Sequence, residues 1–436
     1  HRDLHYPLRR QRQMCIRDRF IVGLALKNLF RYRRRTLITA LAIAAGVAMY
    51  IFIDGWLQGA EMESVRNLVK YETGSARVMH QSFWDDHEFL LPKYSIDNPR
   101  AVMSALSEAG YSVTPRINVW ADVYTTGGQA ESVTMQLVGI DVTTDDRVFA
   151  LEGTIPDGNG KFISAGQPEI VLGSDVADRL EVKPGGTVQI STKTKDGVWT
   201  GMQVRVTGIL FTPDPIVNNS MGFVPLHVLQ SVLQMPGRVT DVVVGFPEWK
   251  NPDKEDAAIA GILAGIDGAD AYTVKNYNEL ASEFGMIVQS KSAGTKVLLF
   301  LIFIIAAIGV SNTMLMAVYE RFREIGMMRA MGMKDRSIIV SFFIEAMGIG
   351  IVGAAIGVTL GVLADFYMVN VGIDLSYFIN DMGNIGYRIT GISRSAWNPG
   401  TILQAGIFSI VFSGLVAIFP ARRALKKQIT DCLRVK

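Results

Sequence analysis

The stretch whose reading decides the fold is Val297–Ile338, "VLLFLIFIIAAIGVSNTMLMAVYERFREIGMMRAMGMKDRSI". Its first part, Val297–Val318, carries no charge and is long enough to cross a bilayer as a helix, which takes about 20 residues. Its last part, Tyr319–Ile338, holds five basic and three acidic residues, and Gly326 and Gly332 interrupt it. A second long apolar run, Ile338–Val369, follows at once, and its centre, Ala346–Ala364, is uncharged. A short charged segment is thus set between two membrane-length ones, and it is long for a connector. Arg321 and Glu324 stand at helical spacing, and Gly332 is placed to stop the helix.

Two more spans lie further out. Leu37–Leu57 has one charge, Asp54, near its end, and Thr401–Phe419 is uncharged and is expected to stop at Pro420. The predicted fold class is an α-helical membrane domain of four transmembrane helices (37–57, 297–318, 338–369 and 401–419), with a large α+β extracytoplasmic domain inserted between the first and second. A composition 49% hydrophobic with mean hydropathy +0.24 suits that mixture. In the third span Gly353, Gly357 and Gly361 recur every four residues, a helix-packing stripe that lets another helix approach closely. Glu345 is expected to snorkel or to pair with an arginine, with a proton relay as the sharper alternative.

Charge sets the orientation. Gln58–Ser292 holds 30 acidic and 18 basic residues, and the remainder holds 11 acidic and 25 basic. Basic residues crowd the entry to the first span (Lys27, Arg31, Arg33, Arg34, Arg35), the loop at 319–337 and the tail at 420–436. The excess of Lys and Arg in these segments predicts that both termini and the 319–337 loop are cytoplasmic, and that 58–292 and the 370–400 loop are outside. Such a split speaks for two compartments rather than nucleic-acid binding. Residues 20–36 read as an interfacial amphipathic helix. Residues 1–19 lack the apolar core of a signal peptide and read as a non-native or disordered N-terminus, a basic tail being the alternative. Cys15 and Cys432 sit at opposite ends, so the outer domain has no disulfide framework.

The outer domain contains two β-α-β patterns far apart in sequence. One comprises "SARVMH", the helix Asn98–Gly110 and "YSVTPRINVW"; the other comprises "VTDVVVGF", the helix Asn251–Gly268 and "DAYTVK". They are expected to pair as a split ferredoxin-like subdomain over about 75–137 and 236–275, with a β-rich subdomain inserted over about 138–235.

No catalytic chemistry is expected, and no cofactor. Gly160-Lys161 invites a phosphate-loop reading, but Ile155 stands where that loop needs glycine and Phe162 where it needs Ser or Thr. His80–Phe89, "HQSFWDDHEF", gathers two histidines and three carboxylates at spacings that match no metal framework. No serine, cysteine or histidine constellation suggests nucleophilic catalysis.

The pattern E-x3-E-I-G-x3-A-x-G is occupied by Glu320, Glu324, Ile325, Gly326, Ala330 and Gly332. It resembles the signature after the second span in ABC-transporter permeases of the type that includes FtsX, the MacB exporter and the lipoprotein-releasing permeases. "LKNLFRYRRRTLITALAIAAG" resembles that family's entry into its first span, and "FPARRALKKQITDCLR" its exit from the last, with Thr430-Asp431-Cys432 where a closing proline is usual. The resemblance implies that 319–337 is a cytoplasmic coupling helix docking on a separate cytosolic ABC ATPase subunit. Glu320, Arg321, Arg323, Glu324, Ile325, Gly326, Arg329 and Gly332 would be its ATPase-coupling residues. It also implies a MacB-like periplasmic core domain, stalk flanks at 58–74 and 276–292, and a second permease chain in a homo- or heterodimer. The setting would be the inner-membrane lipid, with mechanotransmission and no catalysis in this chain. Lipoprotein release is the function most like the whole pattern. Export of a toxin, drug or peptide, and signalling to cell-wall hydrolases, are the alternatives.

Overall fold

A computed structural model of the chain describes residues 23, 31, 33–125, 132–248, 250–266, 268–374 and 392–426. The expected interfacial helix at 20–36, the loop at 370–400 and the tail at 420–436 fall largely outside these residues. The chain divides into two units, one comprising His1–Ala60, Ser290–Ile373 and Arg394–Lys436, the other Glu61–Gln289 and Asp374–Ser393. Helix α1 is Arg33–Asn67. It is followed by strand β1 (Ala76–His80), helix α2 (Pro99–Glu108), β2 (Ser112–Thr125) and β3 (Val133–Ile140). Strands β4 (Glu169–Gly173), β5 (Thr187–Lys193), β6 (Trp199–Leu210), β7 (Met221–Pro225) and β8 (Asp241–Gly245) come next. Helix α3 (Pro252–Leu263) and β9 (Tyr272–Asn276) complete the second unit's main elements. Beside several shorter helices, the main helices that follow are α4 (Ser282–Glu320), α5 (Phe322–Ala330), α6 (Asp335–Asn370) and α7 (Pro399–Leu425).

The second unit is built on a nine-stranded mixed sheet in the order β3-β7-β4-β6-β5-β2-β8-β1-β9, with a further pairing of β3 to β2. That pairing closes β3, β7, β4, β6, β5 and β2 into a ring without free edges, which removes the unpaired backbone groups an open sheet leaves. The remaining strands continue from β2 as β8-β1-β9, all antiparallel. With α2 and α3 they give the β-α-β pairs expected from sequence a common sheet, ordered β9-β1-β8-β2. The expected boundary after residue 137 lies inside β3, and β2 belongs to both the ring and the four-strand portion. The reason is length: β2 runs for 14 residues and pairs in turn with β8 through Ser112–Arg116, β3 through Arg116–Val123 and β5 through Ala121–Thr125.

Both outer helices start the same way. Asn98 and Asn251 cap α2 and α3, their side-chain oxygens accepting from the Ala101 and Lys254 N–H groups at 3.4 and 3.2 Å, and each is followed by proline at the first helical position. Val102 and Leu106 of α2 and Ile259 and Leu263 of α3, each pair four residues apart, are buried in the core over the sheet. Full burial of such side chains contributes about 1.5–3 kcal/mol apiece. A buried ion pair sits in the same unit: Arg116 donates from Nε and Nη2 to the two carboxylate oxygens of Asp145 at 2.8 and 2.9 Å, and its guanidinium lies 3.3 Å from the centre of the Phe149 ring. The bidentate geometry and the ring offset the desolvation of both charges.

Three described helices are long and apolar enough to cross a membrane: Thr36–Thr73, Asp335–Asn370 and Pro399–Arg423. The fourth expected span, Val297–Val318, falls within α4; the count of three refers to the described residues. All four helices contribute to one apolar core. It includes Ala40, Ile43, Val47 and Ile51 of α1, Val310, Met314 and Ala317 of α4, Ala346 and Ile349 of α6, and Ala405 and Ala417 of α7. The glycine stripe of α6 faces α1. A Cβ at Gly353 would lie 2.8 Å from Ile43 Cβ, one at Gly357 2.7 Å from the Ala44 carbonyl oxygen, and one at Gly361 2.9 Å from Ile51 Cβ. Against α7, Ser413 Oγ donates to the Ala346 carbonyl at 3.1 Å. Small residues and an interhelical hydroxyl are what close helix packing in an apolar medium uses. Helix α7 does not stop at Pro420 but continues to Leu425. Proline is tolerated inside membrane helices where neighbours resatisfy the freed backbone, and Ala421 and Leu425 beyond it are buried. Two carboxylates within the apolar helices are hydrogen bonded: Asp54 of α1 accepts from Asn398 Nδ2 at 3.1 Å and Asp365 of α6 from Ser395 Oγ at 2.8 Å.

Candidate functional site

The candidate site is the charged turn that separates α4 from α6. Helix α4 ends at Glu320, and Arg321, at φ −105° and ψ 18°, breaks the helical run before α5 begins. Helix α5 closes at Gly332 in a left-handed conformation, φ +88°. The Gly332 N–H donates to the Arg329 carbonyl and the Met333 N–H to the Met328 carbonyl, both at 3.0 Å. These are the paired bonds of a Schellman stop, and a glycine takes that backbone without strain. Open space surrounds Gly332, so its requirement is conformational rather than steric.

One side of α5 is anchored. Phe322 and Ile325 are buried together with Val318 of α4, Ile338 and Phe342 of α6, and Ala421 and Leu425 of α7. Gly326 is buried on the same side. Ion pairs fix both ends. Arg321 Nη1 lies 2.7 Å from Glu345 Oε2, with the two side chains 4% and 3% exposed. At the other end Arg329 Nε lies 3.1 Å from Asp335 Oδ1. That second pair puts a cation in the last turn of α5 and an anion in the first turn of α6, where both helix dipoles favour them. A third pair, Arg31 to Glu324 at 3.4 Å, is exposed and worth little.

The opposite side of α5 is open. Arg323 is exposed, and Met327 and Met331 follow it at intervals of four, 46% and 80% exposed. Glu320 is also exposed, and Tyr319 beside it is 51% exposed. The eight residues singled out from the sequence are therefore divided between the two faces. Glu320, Arg323 and Gly332 are exposed, Glu324 and Arg329 are half-buried, and Arg321, Ile325 and Gly326 point inward. Sequence reasoning passed over Met327 and Met331, whose signal was available: two apolar residues in register with Arg323 on a charged helix. Flexible, polarizable methionines on an open face suit contact with another protein.

The histidines considered as metal ligands have other contacts. His80 Nδ1 accepts from the Ser82 N–H at 3.1 Å and its ring stacks on Tyr94, while His87 stacks on Trp84.

Comparison with known proteins gives the site its setting. The MacB-like periplasmic core domain matches residues 36–264, more than half the chain, and the FtsX-like permease C-terminal domain matches residues 296–429, which include α5. The chain is similar to the lipoprotein-releasing system transmembrane protein LolC of Neisseria meningitidis serogroup B, 23% identical over 309 residues that cover 69% of this chain and 73% of that protein. It is also similar to the macrolide export ATP-binding/permease protein MacB of a Shewanella species, 21% identical over 422 residues covering 95% of this chain. The chain spans only 61% of that protein's length. Among solved structures it is similar to the periplasmic region of MacB from Actinobacillus actinomycetemcomitans, with 16% identity, coverage of 51% of this chain and 98% of that one, and a TM-score of 0.35. The chain belongs to the family of FtsX-like ABC-transporter permeases that carry a MacB-like periplasmic core domain.

Proposed function

We propose that this permease has four spans in the inner membrane with both termini cytoplasmic, and that it couples ATP hydrolysis by a cytosolic ABC ATPase subunit to movement of its outer domain. It works beside a second permease chain, and its cargo is a lipoprotein released from the membrane. One observation carries the coupling reading: α5 is pinned on one face by apolar packing and by ion pairs at both ends, while Arg323, Met327 and Met331 line the other. A rigid helix with an open, partly apolar face is what a docking partner needs. Two lengths support the stalk reading. Helix α1 has 35 residues and α4 has 39, about 50 and 60 Å at 1.5 Å per residue, against a hydrocarbon core of about 30 Å. The charge split between Gln58–Ser292 and the rest supports the orientation.

Similarity to the lipoprotein-releasing protein, over nearly three-quarters of its length, favours the lipoprotein cargo. Similarity to the macrolide exporter, over nearly the whole of this chain, keeps drug export as the second reading. The test is co-purification with the ATPase and mass spectrometry of what is bound. Met331→Glu or Arg323→Glu should weaken ATPase binding about tenfold or more, a central interface residue contributing roughly 1–2 kcal/mol or above. Full binding by both variants rules out docking through this face, and a bound macrolide without lipoprotein replaces the cargo.

A further inference from the structure

The two ion pairs of α5 are not equivalent, and their spacing is informative. Arg329 reaches Asp335, the first residue of α6, whereas Arg321 reaches Glu345, ten residues further along it. Ten residues of helix span about 15 Å, and the nine residues of α5 about 13 Å. Helix α5 therefore lies antiparallel along the first three turns of α6, tied at both ends, with Phe322 and Ile325 against Ile338 and Phe342 between the ties. Apolar contacts can slide past one another at small cost. A buried charge cannot leave its partner without being stranded in an apolar setting. The outer tie, Arg329–Asp335, has its carboxylate half exposed and can exchange its partner for water, but the inner tie cannot, because both its side chains are buried.

We propose that Arg321 and Glu345 are the positioning residues that carry displacement of α5 into α6, so that nucleotide-driven movement at the docking helix shifts the third span instead of being absorbed at the turn. This rests on the coupling reading above. In that role Glu345 relays force, and its charge serves to hold Arg321 in register.

The test uses the full-length permease reconstituted with its ATPase, reading ATPase affinity and permease-dependent ATP turnover separately. Glu345→Gln and Arg321→Met loosen one end of α5 and should weaken ATPase binding a fewfold at most, while the permease-dependent part of turnover, read at saturating ATPase, falls about tenfold, in the range known for residues along a coupling path. The exchanged pair, Arg321→Glu with Glu345→Arg, should restore most of that turnover. The apolar pair, Arg321→Met with Glu345→Leu, strands no charge and keeps the variant foldable; it should bind and fail to couple. Turnover retained in the apolar pair, or in both single variants, overturns the proposal and assigns transmission to the Phe322–Ile325 packing. Failure of the unmodified chain to bind the ATPase is a different result, since it removes the coupling reading itself.

Discussion

Gly357 of α6 approaches Ala44 of α1 so closely that a Cβ on Gly357 would stand 2.7 Å from the Ala44 carbonyl oxygen and 2.9 Å from its Cα. Both obstacles are backbone, which cannot swing aside as a side-chain end can. Gly357→Ala should therefore destabilise the helical unit, and Gly357→Leu more so, by about 1–3 kcal/mol as overpacking does. Gly406 of α7 is the internal control. A Cβ there would meet nothing nearer than Val358 Cγ2 at 3.7 Å, so Gly406→Ala should be neutral or slightly stabilising. Thermal unfolding in detergent separates the two, and equal midpoints for Gly357→Ala and the unmodified chain would contradict the close approach.

Asp145 neutralises Arg116 deep in the outer unit, where the two side chains are 5% and 2% exposed. Asp145→Ala leaves the guanidinium buried against Phe149 with its charge uncompensated, and should lower stability by about 3–5 kcal/mol. Asp145→Asn keeps one acceptor and should lose less. Urea titration of the full chain, followed by tryptophan fluorescence, gives the comparison. A loss below about 1 kcal/mol for the alanine variant would mean that water reaches Arg116.

The pH dependence of the outer unit should carry the mark of Tyr111 and Glu255. The Tyr111 hydroxyl donates to Glu255 Oε2 at 2.6 Å, and Lys250 Nζ lies 2.9 Å from the same oxygen. Burial first, and then the neighbouring carboxylate, push the Tyr111 phenol up to about 12, while the bonds from Tyr111 and Lys250 hold Glu255 below the ordinary 4.5. For the carboxylate, lowered on folding, the stabilisation is present above the ordinary value and is lost as pH falls through the folded one. For the phenol, raised on folding, it is present below about 10 and is lost as pH rises toward about 12. Glu255→Gln should flatten the acid limb of a melting-temperature profile and Tyr111→Phe the alkaline limb. A profile unchanged at both ends in both variants would dissolve the triad.

Much of this architecture is legible in the residues, because membrane and turn chemistry act locally. Uncharged length marks the apolar helices, the four-residue glycine period marks the face of α6 that meets α1, and Gly332 marks where α5 stops. Asn98-Pro99 and Asn251-Pro252 announce α2 and α3 for the same reason. What is not legible depends on partners distant in sequence. Arg321 reads as one of several loop cations, and only the folding of α5 back along α6 brings it to Glu345, 24 residues away. Arg116 and Asp145 are likewise joined by the path of the chain. Ile325 and Gly326 belong to the recognisable motif, yet they serve the interior, since a helix lying on an apolar surface must give up one face to it. The full length of β2 also escapes a local reading: the strand expected over Tyr111–Trp120, through Pro115, runs on to Thr125, because its far end finds β5 as a partner.

Strand β2 has a mechanical consequence. It is a common beam for two pieces of sheet, holding β8 along five residues, β5 along five and β3 along eight. To bend the outer unit between its ring and its four-strand flange, these ladders would have to shear together, breaking backbone hydrogen bonds whose groups have no other partner in a dry interior. A bend at that place would therefore cost several ladders at once, and the ring and the flange keep one fixed angle to each other.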